Sequence, residues 1–112
     1  MSDVIDAAVW AELEQTAGAD FMGELVQTFL DEAPGLLQAL RDAHAAGDAD
    51  AFRRNAHSLK SNGLTFGALA FAAKARALEL GGLPSATQAA LDDLHNDWQG
   101  VVVALQERIS NG

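Results

Sequence analysis

The amino-acid sequence predicts an all-α protein, an antiparallel four-helix bundle with a short extra N-terminal helix. Three observations carry this expectation. Ala and Leu dominate a hydrophobic fraction of 49%, while β-branched and aromatic residues are sparse, which favours helix over strand. Apolar residues recur at helical spacing through four long segments. Glycines and a proline separate those segments by only a few residues, as short connections between neighbouring antiparallel helices require. At 112 residues the chain is the size of one domain with one modest core, so residues 1–112 are expected to fold as a unit.

The first helix is expected over about Asp6 to Gln15, with Val9, Trp10 and Leu13 on one face and a break at Thr16-Ala17-Gly18. It would cover one end of the bundle. The second runs from about Asp20 to Ala46, with the apolar stripe Phe21, Leu25, Phe29, Leu30, Ala33, Leu36, Leu37 and Leu40. Pro34 removes one backbone donor inside this pattern, which predicts a bend near Leu30 or, alternatively, two helices broken at Pro34. Gly47 ends the segment, and Asp48 or Asp50 caps the third helix, from about Ala49 to Leu64. The fourth is expected from about Ala68 to Leu80, stopping at Gly81-Gly82. Pro84-Ser85 would open the fifth, with Ser85 and Gln88 at capping-box spacing and the stripe Leu91, Leu94, Trp98, Val101 or Val102, Leu105 and Ile109. Trp10, Trp98, Phe29, Phe52 and Phe66 are candidate core aromatics.

Composition excludes several functions. Without cysteine there are no disulfides, thiolate metal sites or thiol chemistry. The acidic start, Met1 to Asp6, lacks the cationic region and apolar run of a signal peptide. No apolar stretch reaches the ~18 residues that would span a bilayer, so a cytoplasmic protein is expected. A net charge of −9 argues against nucleic acid or an anionic membrane as partner. Yet five of the seven basic residues (Arg53, Arg54, Lys60, Lys74 and Arg76) fall between positions 53 and 76, around His57. Positive charge gathered near one histidine suggests a small local anion.

At ~100° of rotation per residue, Phe52, Ala56, Leu59 and Gly63 of the third helix share a narrow core-facing arc, and His57 lies ~130° away, on the outside. Ser61 and Leu64 continue its strip, Arg53 and Arg54 precede it by one turn, and Lys60 sits at its flank. Ser61 leaves space above the imidazole for a visiting protein. Leu64 is apolar where solvent would favour charge, which hints at docking, unless it turns inward at the helix end. Lys60, with Arg53 or Arg54, is suited to the charge of about −2 on a phosphate. Imidazoles ordinarily titrate around pH 6.5, so the neutral nucleophilic form is plentiful at pH 7. From geometry alone, a solvated surface histidine is the competing reading.

The run Ala56-His57-Ser58-Leu59-Lys60-Ser61-Asn62-Gly63-Leu64-Thr65-Phe66-Gly67-Ala68, followed by Leu78-Glu79, resembles the signature of bacterial histidine-containing phosphotransfer (HPt) domains. Asp20-Phe21, Leu25 to Leu30 and Pro34 resemble that family's second helix. The likeness covers nearly the whole chain and implies a four-helix bundle with a phosphoryl-accepting histidine, His57, modified on the nitrogen far from the backbone. It implies that Lys60 lies near the phosphate and that Gly67 permits a tight turn between the third and fourth helices. Glu79 matches the glutamate that, in the chemotaxis-kinase branch, hydrogen-bonds the other ring nitrogen. Ser61 departs from the family's usual glycine but is still small.

The resemblance further implies a phosphocarrier between a receiver-domain aspartyl phosphate, or a kinase, and another receiver. The partners would be a response-regulator receiver domain or a hybrid histidine kinase. No ATP-binding loop is legible: Gly81-Gly82 lacks the glycine-lysine pattern. Asp48, Asp50, Asp92, Asp93 and Asp97 read as caps or solvated positions, and neither His44 nor His95 is spaced with His57 as a zinc triad. Neither a metal nor a cofactor is expected, and Mg²⁺ would come with the partner. The alternative is a helical docking module that is not phosphorylated. A free-standing protein is expected from Met1 and a complete bundle, although the phosphoacceptor segment of a larger kinase would look the same; a monomer is expected.

Overall fold

The computed structural model describes residues 4–111, the side chain of Asn111 excepted; Met1 to Asp3 and Gly112, part of the expected 1–112 unit, lie outside it. The described residues form five α-helices and no strand: α1 (Ala7–Ala17), α2 (Ala19–Ala46), α3 (Ala49–Phe66), α4 (Leu69–Gly81) and α5 (Gln88–Asn111), with a single 3₁₀ turn at Leu83–Ser85. The four helices α2 to α5 form the expected bundle, 42 Å along its longest axis.

Asp6 caps α1 by accepting from the Val9 N–H at 3.0 Å, and Asp48 caps α3 by accepting from the Ala51 N–H at 3.1 Å. The start of α5 departs from expectation. Leu83-Pro84-Ser85 forms the 3₁₀ turn, and Thr87 is the cap, its Oγ1 accepting from the Ala90 N–H at 3.0 Å. A proline stiffens the turn, and the hydroxyl that reaches the orphan N–H groups is the one nearest the helix.

Helix α2 is continuous through Pro34, so the two-helix alternative fails. The lost hydrogen bond is outweighed by burial on both sides of it. Its buried stripe is Met22, Val26, Phe29, Ala33, Leu37, Leu40 and Ala43. Phe21, expected inside, is exposed, and Leu25, Leu30 and Leu36 are only half-buried. A helix wheel read without neighbours admits two stripes one residue apart; contact with α3 and α5 selects the one containing Met22 and Val26.

The candidate aromatics are all buried and form one cluster. Phe29 stacks on Phe66 with centroids 4.8 Å apart, Trp98 meets Phe29 edge-on at 5.1 Å, and Phe71 lies 5.7 Å from Trp98. This cluster ties α2, α3, α4 and α5 together in the middle of the bundle. Two polar ties hold α5 to its neighbours: Arg41 of α2 pairs with Asp92 of α5 at 3.1 Å, and Lys74 of α4 reaches both Asp93 and Asp97 of α5 at 2.9 Å. These two carboxylates, Asp93 first, raise the Lys74 pKa above its usual value against a small opposing effect of burial.

Helix α1 closes the end where α3 turns into α4. The Asp6 N–H donates to the Gly67 carbonyl at 2.8 Å, and Arg108 of α5 lies 5.5 Å over the Trp10 ring. Gly67 has φ +81°, and a Cβ there would stand 3.0 Å from the Asp6 carbonyl oxygen and 3.2 Å from Val9 Cβ. Both the left-handed turn and the packing of α1 therefore demand glycine.

Candidate functional site

Helix α3 presents His57 outward. The residues of the opposite, core-facing arc, Phe52, Ala56, Leu59, Gly63 and Phe66, are buried, and the His57 side chain keeps 57% of its surface exposed. Ser61 and Leu64 continue the same strip, both exposed, Leu64 at 48%. Leu64 does not turn inward, because the last turn of α3 is held by the Gly67 cap and Phe66 fills the core.

Helix α4 supplies the partner of the imidazole. His57 Nδ1 lies 2.6 Å from Glu79 Oε2. The other carboxylate oxygen, Oε1, lies 2.8 Å from Lys60 Nζ, a contact of an ion pair more than a directed hydrogen bond. This oxygen is fully covered and has no other polar partner among the described residues. Glu79 is thus clamped between two side chains of α3, itself 16% exposed with Lys60 at 20%. The Lys60 ammonium, and after it the His57 ring, hold the Glu79 carboxyl below the usual carboxylate range, while partial burial pushes the other way. An ionised carboxylate only accepts, so the proton of this contact sits on Nδ1. In the neutral ring Nε2 is then the free nitrogen and the one directed away from the helix.

The reach between α3 and α4 depends on Gly63. Its missing side chain lets the helices close: a Cβ there would stand 3.1 Å from Ala72 Cβ and 3.2 Å from the Phe71 ring. Two turns along, the same close approach puts Glu79 within hydrogen-bond distance of His57.

The remaining residues singled out in the sequence separate into two groups. Arg53 is exposed and bonded to Asp50 at 3.0 Å, turned toward the start of α3. Arg54 is exposed with no carboxylate within 4.0 Å among the described residues. Lys60, expected at the flank of His57, is engaged by Glu79 rather than extended into solvent. Of three surface residues of α4, the sequence reading counted Arg76 only as part of the basic cluster and did not place Leu69 or Leu80. Arg76 precedes Glu79 by one turn, exposed and without a carboxylate partner among the described residues; Leu80 is 71% exposed; Leu69 is exposed at the start of the helix. Placing Glu79 beside His57 and counting back three residues finds Arg76, so the signal was present once α3 and α4 were paired. His44 is half-exposed near Phe52 at the other end of α3, and His95 is exposed on α5. Among the described residues no three His, Asp or Glu side chains are grouped to hold a metal ion.

The family model of the Hpt domain matches residues 24–110, which include α3, α4 and nearly all of α2 and α5. The chain belongs to the Hpt domain family. Hpt domains are phosphocarriers rather than classical enzymes, working with receiver domains and histidine kinases in phosphorelays, and histidine phosphotransfer is the function of this chain at that level. The Hpt fold is matched in full by histidine-containing phosphotransfer protein B (HptB) from Pseudomonas aeruginosa PAO1. The match covers 100% of this chain and 99% of that one at a TM-score of 0.89 and 24% identity. No curated protein matches the chain. No helix among the described residues is long and apolar enough to cross a membrane.

Proposed function

We propose that His57 is the phosphoacceptor of this Hpt domain, taking the group from a receiver aspartyl phosphate, or from a kinase, and returning it to another receiver. The observation that carries the reading is the exposed imidazole with its Nδ1 held by Glu79 at 2.6 Å. In the transfer the Nε2 lone pair forms the N–P bond as the bond between phosphorus and the aspartyl oxygen breaks, and the aspartate leaves as a carboxylate. The ring keeps its Nδ1 proton and gains positive charge, which the Glu79 carboxylate offsets. Return transfer runs the same bonds in reverse.

Lys60 has two roles in this proposal. In the resting state it keeps Glu79 ionised, and in the loaded state its flexible stem lets the ammonium swing toward the phosphoryl oxygens. Arg54 adds positive charge beside the site, whereas Arg53 is occupied by Asp50. Ser61 and Leu64 form the docking surface, with the small Ser61 leaving room above the ring. The in-line geometry and Mg²⁺ are supplied by the receiver. The protein works as a single cytoplasmic domain and a monomer.

Incubation with a phosphorylated receiver tests the reading. Wild type is expected to acquire an acid-labile, alkali-stable phosphate, and His57→Gln to acquire none while keeping its helical circular dichroism. Labelling of His57→Gln would place the acceptor elsewhere. Wild type that binds the receiver but is not labelled would instead identify a docking module.

A further inference from the structure

A second surface lies between α2 and α5, on helices that contribute nothing to the His57 site. A groove of about 640 Å³ runs there, lined by Leu30 and Pro34 of α2 and by Trp98, Val102 and Ile109 of α5. Leu30, Val102 and Ile109 are only half-buried and Pro34 is exposed, so the bundle leaves apolar surface uncovered along this seam. Pro34 adds a polar vacancy. It has no N–H, so the Leu30 carbonyl lacks its α-helical donor beside the groove.

The one charged residue of the lining is acidic. Asp31 lines the groove, and Asp20, Glu24 and Asp42 fall on the same outer strip of α2, two to three turns away. All four are exposed, and none has a cation within 4.0 Å among the described residues. Glu107 is exposed on α5. The basic residues lie elsewhere: Arg41 is tied to Asp92, Lys74 to Asp93 and Asp97, and Arg108 covers Trp10, while the others belong to α3 and α4.

We propose that this groove docks a cationic amphipathic helix of a partner protein, independently of phosphoryl transfer at His57. The apolar face of such a helix would cover Leu30, Val102 and Ile109, and its Lys or Arg side chains would meet the α2 carboxylates and the free Leu30 carbonyl. From Trp98 to Ser110 the groove follows α5 for ~18 Å, the length of a helix of about 12 residues. An anionic helix would meet the repulsion of the rim, and a second copy of this chain would bring its own acidic α2 against the first.

The test uses a synthetic leucine–lysine amphipathic helix of about 14 residues and a counterpart with glutamate for every lysine. With ¹⁵N-labelled full-length protein, the lysine peptide is expected to shift the amides of Leu30, Val102 and Ile109 and the Trp98 indole, leaving those around His57 in place. The glutamate peptide should shift nothing. The double variant Glu24→Lys/Asp31→Lys, confined to exposed side chains, should weaken binding by roughly tenfold or more and leave receiver-dependent labelling of His57 at the wild-type rate. Equal binding of both peptides, unchanged affinity in the double variant, or shifts spread over the His57 face would overturn the proposal. So would concentration-dependent dimerisation in sedimentation that protects the groove, which would identify a second copy as its occupant.

Discussion

The two long sides of this bundle are built on opposite plans. On the α3–α4 side, charges of both signs meet in a chain, Lys60 to Glu79 to His57, with exposed Arg54 and Arg76 beside it. On the α2–α5 side, the groove mixes apolar side chains with the amides of Gln27 and Gln106, and its charged residue, Asp31, is acidic. The net charge of −9 is therefore a sum over two unlike surfaces and describes neither. What the difference teaches is that helix pairing, more than composition, decides where charge becomes chemistry. A glutamate beside a histidine and a lysine orders a proton, whereas carboxylates lined up along one helix only set a field.

The largest expected effect falls on the first side alone. His57→Gln should remove phosphate labelling completely, while Val102→Glu in the groove should leave it at the wild-type level; a loss in both would mean that the two sides are not separate. Next comes the loss of anionic character at Glu79. Glu79→Gln should slow transfer from a phosphorylated receiver about tenfold, as expected for a hydrogen bond to a charged group at a half-exposed site. Single-turnover rates measured beside unchanged receiver affinity would separate this from a docking defect.

The end of the bundle shared by both sides gives a stability prediction. Gly67→Ala forces a left-handed backbone on alanine and drives its Cβ against Asp6, and should cost about 2 kcal/mol in urea unfolding. A smaller effect is expected from acid. Because the Glu79 pKa is lowered on folding, its contribution is present above the ordinary value of 4.5 and is lost as pH falls through the lower folded value. The stability difference between wild type and Glu79→Gln should thus shrink as pH falls below 4.5. The smallest change concerns the seam between the sides. Lys74→Met, removing the α4 tie to Asp93 and Asp97, should cost roughly 0.5–1 kcal/mol and leave labelling untouched. As the folded Lys74 pKa is raised, that contribution is full below 10.5 and fades only at more alkaline pH, so wild type and variant should converge there.

Much of this was legible in the chain. Helix order, the capping of α3 by one of Asp48 and Asp50 and the outward direction of His57 follow from local periodicity and turn chemistry, which act within a few residues. What escaped depends on which helix lies beside which. The exposure of Phe21 and the choice of Met22 and Val26 for the core are decided by the neighbours of α2. Residue types alone pointed Lys60 at an anion, and the anion it meets in the structure is Glu79, 19 residues on along the chain, a contact that exists only once α3 and α4 are antiparallel. The groove was invisible for the same reason: Leu30 and Val102 each look like ordinary members of a buried stripe until the seam between their helices proves too wide to cover them.

Gly63 has a consequence for engineering this scaffold. Since the gap between α3 and α4 is fixed by a hydrogen where other residues carry a carbon, the reactivity of the imidazole can be tuned from a position that never touches it. Enlarging residue 63 by a single methyl should push the two helices apart by a few tenths of an ångström and lengthen the contact between carboxylate and ring without altering either. That makes an atom too few, buried two turns from the solvent-facing chemistry, a dial on the nucleophile.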